Sequence, residues 1–449
     1  MSGKLVLKKI GALFGLVLRN PALTMRLLTW RRLKNALDAI AGKRGNLGQI
    51  LTRYQAIYQP RESGHAPQTL SVHAPLGDIV LFSVIDWDFR FQRPQHFATG
   101  LSQMGYRVFY ICPTPLVAKP ERQYVVLKSP SPMLHVVQLA SGSFRLPDLH
   151  QCDLSESEAG GLATSLRALL RDAGTDSASA LVEHPAWWGV ARIMFWDRIV
   201  YDCLDHHAGF AGAAQERLQR LEHEMIAAAD CSIASSKELL HSIEKSGPSG
   251  GRPVLVRNGC EYKRFASAPR RELDPNRPVL GYIGAISTWF DQRLLTEVAK
   301  MRPNWEFVLV GATTGADTDV MQGLQNIRFI GEVPYEAVPE LVGQFDICLI
   351  PFVLSSLTKA TNPVKLYEYL AAGRPVIGTR LPELAGLDEL GVACVEDPAQ
   401  FIAAVETLLP SAHREESVRA RQAWASRHDW SERCKAIADV LQRTQRCPI

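Results

Sequence analysis

The chain has 449 residues, of which 46% are hydrophobic and 21% charged, and its formal net charge is +4. A chain of this length is too long for one compact core, so we expect two or three domains, and the composition excludes an extensively disordered protein. The charge is uneven, because residues 1–53 hold eleven Lys or Arg against the single acid Asp38. The rest of the chain is net acidic and shows no nucleic-acid-binding motif, so we expect no nucleic-acid partner.

The N-terminal arm, residues 1–58, is basic and amphipathic. Apolar side chains recur in it every three or four residues, with Arg and Lys between them, which predicts a helix with one apolar face: Leu23, Leu27, Trp30, Leu33, Leu37 and Ile40. Such a helix can lie on an anionic membrane surface through residues 1–53, or it can pack on the protein's own surface. The apolar run 10–18 is too short to span a membrane, and no cleavage site follows it. We therefore expect a cytoplasmic protein and leave open its peripheral attachment to the inner face of the membrane.

After a polar linker at 59–77, apolar runs alternate with helical patterns through 78–265 and again through 278–429. The predicted strands are 78–84, 107–112, 134–139, 180–183, 199–202, 231–234 and 254–256, followed by 279–284, 306–311, 327–330, 346–350 and 375–378. The predicted helices between them include 94–105, 159–173, 213–229, 290–301, 335–343 and 363–372. This alternation predicts an α/β fold of two doubly wound Rossmann-like domains facing a cleft, with a last helix in 430–449. Ligands are expected at the carboxyl ends of the strands.

The sequence gives little support for a bound metal ion. Its nine cysteines are scattered and none forms a CxxC pair, which indicates free or buried thiols in a reducing compartment. Asp86-Trp87-Asp88 matches a DxD metal motif, but this motif is short and frequent by chance, and no third ligand is apparent. We therefore predict no metal and no cofactor.

Polar and aromatic side chains follow three predicted strands of the first domain. Behind the first strand we assign five residues to the acceptor side of the cleft: Trp87, Asp88, Arg90, Gln92 and Arg93. His184 follows the strand 180–183, and Asp205 and His206 follow the strand 199–202. Each histidine alone could be structural, but three polar strand ends in one sheet favour a substrate cleft.

The stretch 361–379, TNPVKLYEYLAAGRPVIGT, carries the most functional information. Asn362 is a favoured N-cap and Pro363 loses nothing at a first helical position, so we expect a helix to begin there. The free amides of its first turn and Lys365 favour an anion. Glu368 lies close to the same face, and its carboxylate suits a vicinal diol such as a ribose. An ordinary surface helix with a Lys–Glu pair is the alternative.

The first strand of the second domain ends at Gly281-Tyr282-Ile283-Gly284-Ala285. This is not a GxGxxG pattern, so the sequence only weakly favours a dinucleotide site. Gly284 would let a phosphate approach the backbone closely, and a tight turn without a ligand is the alternative.

Several segments, taken in order, resemble the GT-B glycosyltransferases of the family 4 type, in the bacterial subgroup of TuaH-like enzymes. The resembling segments are 86–98, 200–210, 258–265, 281–295, 331–341, 346–352 and 361–379. The resemblance implies the GT-B fold, in which the C-terminal helix crosses back to the first domain. It implies a nucleotide-sugar donor, UDP- or GDP-linked, on the second domain and an acceptor mainly on the first. It also implies retaining chemistry without a metal, in which dipoles and cations stabilise the leaving diphosphate.

The resemblance also implies roles for individual residues. Glu368 matches the second glutamate of the family's ExxxxxxxE motif, which holds the ribose, whereas the first glutamate would fall at Ala360 and is missing; Asn362 is the candidate substitute. The candidates for contacting the diphosphate are Lys365, Lys359 and Arg257. Asp205, His206 and Lys365 are the predicted catalytic residues. The remaining predicted donor contacts are Gly284, Ala285, Pro363 and Val364, with Val333, Pro334 and Tyr335 at the base.

We therefore expect a hexosyltransferase that moves a sugar from a nucleotide-sugar donor to a cell-surface polysaccharide or lipid-linked acceptor. Two alternatives remain open. A nucleotide-sugar epimerase or a phosphorylase can have the same fold, because a fold does not determine a reaction. A non-catalytic saccharide-binding partner is mildly favoured by the missing glutamate at Ala360.

Overall fold

The computed structural model describes residues 70, 72–117, 123–141, 154–210, 215–247, 250–313 and 318–442. The predicted basic arm and its membrane-facing helix lie outside the described residues, as does most of the predicted linker. Within the part that is described, no helix is both long enough and apolar enough to cross a bilayer.

A largely parallel sheet forms the first lobe, defined here as the described residues of 72–259. Its strands are β1 Asp78–Phe82, β2 Arg107–Ile111, β3 Leu116–Val117, β4 Tyr124–Ser131, β5 Leu134–Ser141, β6 Ala178–Val182, β7 Arg198–Cys203, β8 Cys231–Ala234 and β9 Val254–Leu255. Their order is β3-β5-β2-β1-β6-β7-β8-β9, with β4 added antiparallel to β5. Strands β1 and β2 are buried along their whole length, as expected where helices cover both faces. The order reverses between β1 and β6, which places a crevice at their carboxyl ends.

Short polar signals begin and end the helices of this lobe. The helices are α1 Arg93–Met104, α2 Glu156–Asp172, α3 Trp188–Ala191, α4 His207–Phe210, α5 Gln215–Ala228 and α6 Lys237–Lys245. Ser155 and Glu158 form a capping box at the start of α2, where each side chain accepts from the other residue's amide. Helix α1 has Pro94 in its first turn and ends at Gly105, whose φ of 110° favours glycine.

The second lobe, residues 279–426, repeats this architecture with a six-stranded parallel sheet. Its strands are β10 Val279–Ile283, β11 Glu306–Val310, β12 Ile327–Gly331, β13 Ile347–Ile350, β14 Val376–Thr379 and β15 Val392–Val395, in the order β12-β11-β10-β13-β14-β15. Helix α7 Tyr262–Ala266 lies in the connecting segment, and the lobe's helices are α8 Gln292–Met301, α9 Asp319–Gln322, α10 Val338–Gly343, α11 Ser356–Ala360, α12 Val364–Ala371, α13 Pro398–Leu408 and α14 Glu415–Ser426. The strand order reverses between β10 and β13. The predicted doubly wound α/β architecture is confirmed in both lobes.

The last described helix, α15 Trp430–Gln442, returns to the first lobe and packs on α1. The indole of Trp430 stacks on the His96 ring with a centroid distance of 4.6 Å. At Gly100 a Cβ atom would lie 2.2 Å from Cys434 Sγ, so only glycine permits this close approach. The predicted crossing of the C-terminal helix is thereby confirmed, and the exact domain limits remain predictions.

Several elements go beyond the predicted pattern, among them β4, α6 and β15. Strand β4, with the sequence YVVLKSPS, contains a proline and is only half-buried, so its sequence lacks the apolar run of a central strand. Helix α6 and strand β15 were likewise not among the predicted elements. Strands β4 and β15 lie at sheet edges and are only partly buried, which imposes a weaker pattern on their sequences. Helix α6 has the regular helical pattern, with Leu239 and Ile243 as its buried residues.

Candidate donor and acceptor site

The carboxyl ends of the two sheets contribute facing side chains, and the contacts that join the lobes there include the following three. Phe91 stacks on Tyr335 with ring centroids 5.8 Å apart. Arg90 Nε donates to Glu332 Oε1 at 3.2 Å. The rings of Phe210 and Trp289 meet edge to face at 6.3 Å. The loops that follow β1, β7, β10 and β12 therefore border a common cleft.

Helix α12 holds the Lys–Glu pair at this cleft. Lys365 Nζ donates to Glu368 Oε2 at 2.6 Å, and the side chains are 26% and 3% exposed. Burial raises the pKa of Glu368 above its ordinary value, although the neighbouring Lys365 acts in the opposite direction. A buried carboxylate with one cationic partner can accept hydroxyl donors, and a cation on the first turn of a helix can attract an anion.

Aromatic and cationic groups surround this pair. The Arg264 guanidinium lies over the Tyr335 ring, 4.9 Å from its centroid. Burial raises the pKa of the Tyr335 hydroxyl, and Glu368 adds to the effect, which places Tyr335 near the α12 carboxylate. Burial also lowers the pKa of His96 to about 3, with Arg264 and Lys365 adding to the effect. His96 is therefore neutral, and the predicted base segment of Val333, Pro334 and Tyr335 faces the same cluster through Tyr335.

The structure corrects the predicted role of Asn362. Helix α12 begins at Val364 with Pro363 in the cap position, and the Asn362 side chain makes no cap. Its Oδ1 accepts from the Asn258 amide at 2.9 Å, and its Nδ2 donates to Glu383 Oε2 at 2.9 Å. Since Asn362 is only 2% exposed, it has little surface for a sugar.

Two neighbouring predictions also change. Arg257 Nε donates to Glu383 Oε2 at 2.7 Å, so its charge is paired with a carboxylate rather than left for a diphosphate. Ala360 is 3% exposed and packs among apolar residues of the first-lobe core, so a glutamate would not fit at this position. Lys359, on α11, is exposed, and its predicted contact with the diphosphate remains a prediction.

The loop after β10 is built around Gly284 and Ala285. The Gly284 amide donates to Val310 O at 2.9 Å, so this amide is not available to a phosphate. The Tyr282 hydroxyl donates to Ala285 O at 2.9 Å. A Cβ at Gly311, whose φ is 144°, would lie 1.8 Å from Gly284 O. Close backbone packing accounts for Gly311, and the Tyr282 side chain, 2.6 Å from a Cβ built at Gly284, accounts for Gly284. Phosphate contact by Gly284 or Ala285 remains a prediction.

The aspartates of the DxD motif point to separate partners. Asp86 Oδ2 accepts from the Thr114 hydroxyl at 2.6 Å, whereas Asp88 pairs with Lys128. The Lys128 ammonium also lies over the Trp87 ring, 5.7 Å from its centroid. Among the described residues no group of three or more His, Cys, Asp or Glu could hold a metal ion. Trp87 and Asp88 are thus held at the first-lobe rim, where an acceptor role remains a prediction.

The structure corrects the predicted role of Arg93. Its guanidinium donates to both carboxylate oxygens of Asp202, from Nε at 2.8 Å and from Nη2 at 2.7 Å, and from Nη1 to Asn258 Oδ1 at 3.2 Å. The side chains of Arg93 and Asp202 are 3% and 0% exposed. An acceptor therefore cannot reach this guanidinium. Gln92, by contrast, is exposed at the start of α1, and its acceptor role remains a prediction.

His184 is also a structural residue rather than an exposed acceptor contact. It is 3% exposed, and its Nδ1 accepts from the Ala186 amide at 3.2 Å at the start of a short 3₁₀ turn. Its ring packs edge to face on His207 at a centroid distance of 4.7 Å. These contacts agree with the alternative that this histidine has a structural role.

Asp205 and His206 lie together in the turn between β7 and α4. Burial raises the pKa of Asp205 to about 7, although Arg93 acts in the opposite direction. His206 Nδ1 is buried and has no hydrogen-bond partner among the described residues. The turn also approaches the second lobe, because a Cβ at Gly209 would lie 3.3 Å from Leu357 of α11. A carboxyl that titrates near neutrality at a cleft is suited to proton transfer or to holding a hydroxyl.

Comparisons with known proteins agree with this geometry. Residues 277–411 match the family model described as "Glycosyl transferases group 1". The architecture matches sucrose-phosphate synthase from Thermosynechococcus elongatus with a TM-score of 0.65 at 16% identity, over 82% of this chain and 98% of that one. It also matches Anabaena Alr3699/HepE, solved with UDP and glucose, with a TM-score of 0.56 at 15% identity, over 81% of this chain and 98% of that one. The fold is GT-B.

One curated relative is similar in sequence to this GT-B chain. The putative teichuronic acid biosynthesis glycosyltransferase TuaH of Bacillus subtilis (strain 168) is 32% identical over 262 residues. The match covers 54% of this chain and 66% of the relative, slightly less than two thirds of its length. The family match and this relative both point to glycosyltransferases, which are enzymes of the transferase class.

Three fully or partly buried glutamates of this GT-B chain were not predicted as site residues. Glu183 is 0% exposed at the end of β6, and burial together with Asp202 raises its pKa well above the ordinary value. Glu222, on α5, accepts from the Tyr201 hydroxyl. Glu383 follows β14 and accepts from Lys237 and Arg257 of the first lobe and from Asn362 of the second. Glu183 and Glu383 stand at strand carboxyl ends, a position that could have indicated them, whereas Glu222 is one of several polar residues on an ordinary helix.

Proposed function

We propose that this protein is a glycosyltransferase that moves a sugar from a UDP- or GDP-linked donor to a saccharide or lipid-linked acceptor in cell-surface polysaccharide synthesis. The observation that carries the proposal is the Lys365–Glu368 pair on α12, which lies at the cleft within the matched region 277–411. The curated relative is named for teichuronic acid biosynthesis, and this supports a polysaccharide acceptor.

On the donor side, we propose that fixed positive charges stabilise the leaving group. Lys365 and the first amides of α12 would stabilise the diphosphate as it leaves, because preorganised cations and dipoles act most strongly where charge develops. When the diphosphate draws Lys365 away, Glu368 becomes free to accept from the two ribose hydroxyls. We propose that no metal takes part and that the anomeric configuration is retained.

On the acceptor side, Asp205 and His206 are the proposed catalytic-cleft residues. The raised pKa of Asp205 lets its carboxyl exchange a proton with a sugar hydroxyl near neutral pH. Phe91 and Arg90 reach the second lobe from the same rim, so closure around a donor would also shape the acceptor entrance.

The test is a product screen of the purified full chain against a panel of nucleotide sugars and saccharide acceptors, read by mass spectrometry. We expect a glycosylated acceptor and a released nucleoside diphosphate. Glu368→Gln should weaken donor use by about 1.5–3 kcal/mol, the contribution of a hydrogen bond to a charged group. The matched control is Glu432→Gln, which alters an exposed Lys–Glu pair with the same spacing on α15.

Three results would contradict the proposal. A changed donor sugar without any acceptor would show an epimerase. Saccharide binding without any product would show a non-catalytic partner. Equal donor use in Glu368→Gln and the wild type would remove the ribose assignment while leaving the reaction class intact.

A further inference from the structure

A buried carboxylate of the second lobe is bound by groups from both lobes. Glu383 lies in the turn after β14, and its side chain is 3% exposed. It accepts from the Lys237 amide at 2.9 Å, from Arg257 Nε at 2.7 Å and from Asn362 Nδ2 at 2.9 Å. Lys237 and Arg257 belong to the first lobe, whereas Asn362 belongs to the second lobe, two residues before the start of α12. Two of the three donors cross between the lobes, and they make a strong contact because hydrogen bonds to a carboxylate exceed those between neutral groups.

The same contacts continue into the core of the first lobe. Asn258 binds Asn362 twice, from its amide to Oδ1 at 2.9 Å and from Nδ2 to the Asn362 carbonyl at 2.7 Å. Asn258 Oδ1 in turn accepts from Arg93, which holds Asp202 on β7. A series of buried hydrogen bonds therefore runs from β7 of the first lobe to the turn after β14 in the second. We call Asp202, Arg93, Asn258, Asn362 and Glu383 the interlobe relay.

The two ends of the interlobe relay coincide with the two halves of the proposed site. Asp202 stands three residues before Asp205 on the β7 segment, and Asn362 stands three residues before Lys365. Asn258 binds both the main chain and the side chain of Asn362. The position of the first turn of α12 is therefore fixed relative to the first lobe.

We propose that Glu383 and Asn362 are positioning residues, which hold the first turn of α12, and with it Lys365, in register with the Asp205–His206 turn. The inference rests on the proposed transferase function. It adds two residues, Glu383 and Asn362, that act on the reaction by positioning Lys365. It replaces direct donor contact by Asn362 and Arg257 with an interlobe role. A donor and an acceptor held by different lobes react only if the lobes are aligned, because small misplacements of reacting groups greatly reduce a rate.

The first test measures the contacts and needs no substrate. Hydrogen–deuterium exchange is followed by mass spectrometry in the full chain carrying Glu383→Gln or Asn362→Ala. A glutamine at 383 replaces one of the two acceptor oxygens with an NH₂ group. If the remaining oxygen keeps Arg257 and Asn362, the NH₂ group faces the Lys237 amide, so that contact should be lost. The amides of Lys237 and Asn258 donate directly to Glu383 and Asn362, and we expect their exchange to quicken by about tenfold or more. Exchange in β10 should stay unchanged.

The second test separates positioning from donor binding. We expect kcat for the product found in the screen to fall by about tenfold or more in both variants. The Kd for UDP and GDP, measured by calorimetry, should stay within about twofold of the wild type. Direct donor contact by Asn362, as the sequence suggested, would instead weaken that Kd in Asn362→Ala.

The control is Glu306→Gln, which alters a second-lobe carboxylate that pairs with Arg328 of the same lobe and with Arg277, two residues before that lobe begins. It should leave exchange at Lys237 and Asn258, and kcat, unchanged. If Glu383→Gln fails to fold, Arg257→Lys offers a milder loss of the same contact, because Arg257 is 31% exposed.

Unchanged exchange at Lys237 and Asn258 would overturn the interlobe contact itself. Faster exchange with an unchanged kcat, or with a weakened nucleotide Kd, would overturn the positioning role. If the wild type forms no glycosylated product, the transferase proposal fails and the positioning role fails with it, while the exchange result still decides whether the contact joins the lobes.

Discussion

Replacing Arg93 with alanine should destabilise the first lobe severely. The guanidinium makes two hydrogen bonds to Asp202 and one to Asn258, and it lies over the Phe97 ring, 4.4 Å from its centroid. Without it, the Asp202 carboxylate is a buried charge that has lost its hydrogen-bonded cation. Glu183, also fully buried, stands close enough for its pKa to be raised by Asp202, so this neighbour offers a second carboxyl rather than a compensating positive charge.

The expected cost follows from this burial. Removing one partner of a buried ion pair costs about 3–5 kcal/mol, because the remaining charge stays desolvated. Adding Asp202→Asn to Arg93→Ala removes that charge, so the double variant should recover about 1–3 kcal/mol relative to the sum of the single changes. Arg93→Lys keeps the charge but loses the two-pronged geometry, and it should lie between the wild type and Arg93→Ala.

Urea-induced unfolding, followed by both tryptophan fluorescence and circular dichroism, measures these differences. Two probes are needed because a two-lobed chain can unfold in more than one step. The control is Arg171→Ala, since Arg171 is 74% exposed and pairs with the adjacent Asp172, and this change should cost less than about 0.5 kcal/mol. If Arg93→Ala stays within about 1 kcal/mol of the wild type but loses acceptor affinity, Arg93 contacts the acceptor after all.

Two further predictions concern Asp205 and Gly311. Burial raises the folded-state pKa of Asp205 to about 7, above the roughly 3.9 of an unfolded chain. The contribution of this carboxyl to the free energy of unfolding is therefore full below pH ~4, where it is protonated in both states, and is lost as pH rises through 7. Asp205→Asn should therefore gain stability over the wild type between pH 5 and 8 in thermal melts, with about 4 kcal/mol as the upper limit, and parallel pH profiles would contradict this. Gly311→Ala should cost about 3 kcal/mol, because its φ is 144° and its Cβ would meet Gly284 O. Gly323→Ala, where the nearest atom is 3.6 Å away, should be nearly neutral, and equal melting temperatures of the two alanine variants would refute the steric argument.

The fold was predictable because its signal is local and repeated. Buried parallel strands such as DIVLF and ICLIPF are continuous apolar runs, and helices with recognisable beginnings separate them. The start of α12 was predictable within one residue, since Pro363 fits only at the beginning of a helix. The peripheral strand β4 was not, because a half-buried antiparallel strand needs no apolar run.

In the candidate site, too, local contacts were predictable from the sequence and long-range contacts were not. Lys365 and Glu368 are three residues apart on one helix, so the sequence alone determined that they would meet, and the structure places them 2.6 Å apart. The sequence could not determine the partners of Arg93, Arg257 and Asn362. Their contacts lie 104 to 165 residues away along the chain or across the two lobes.

Side-chain type therefore determined which chemistry was available, and tertiary packing decided where it is used. An arginine and an asparagine suit a phosphate or a sugar as well as they suit a buried carboxylate, because they offer the same donors to each. Only tertiary packing gives Arg257, from the first lobe, and Asn362, from the second, the common acceptor Glu383. The sequence assigned these two residues to the donor site, whereas the structure places them in the connection between the lobes.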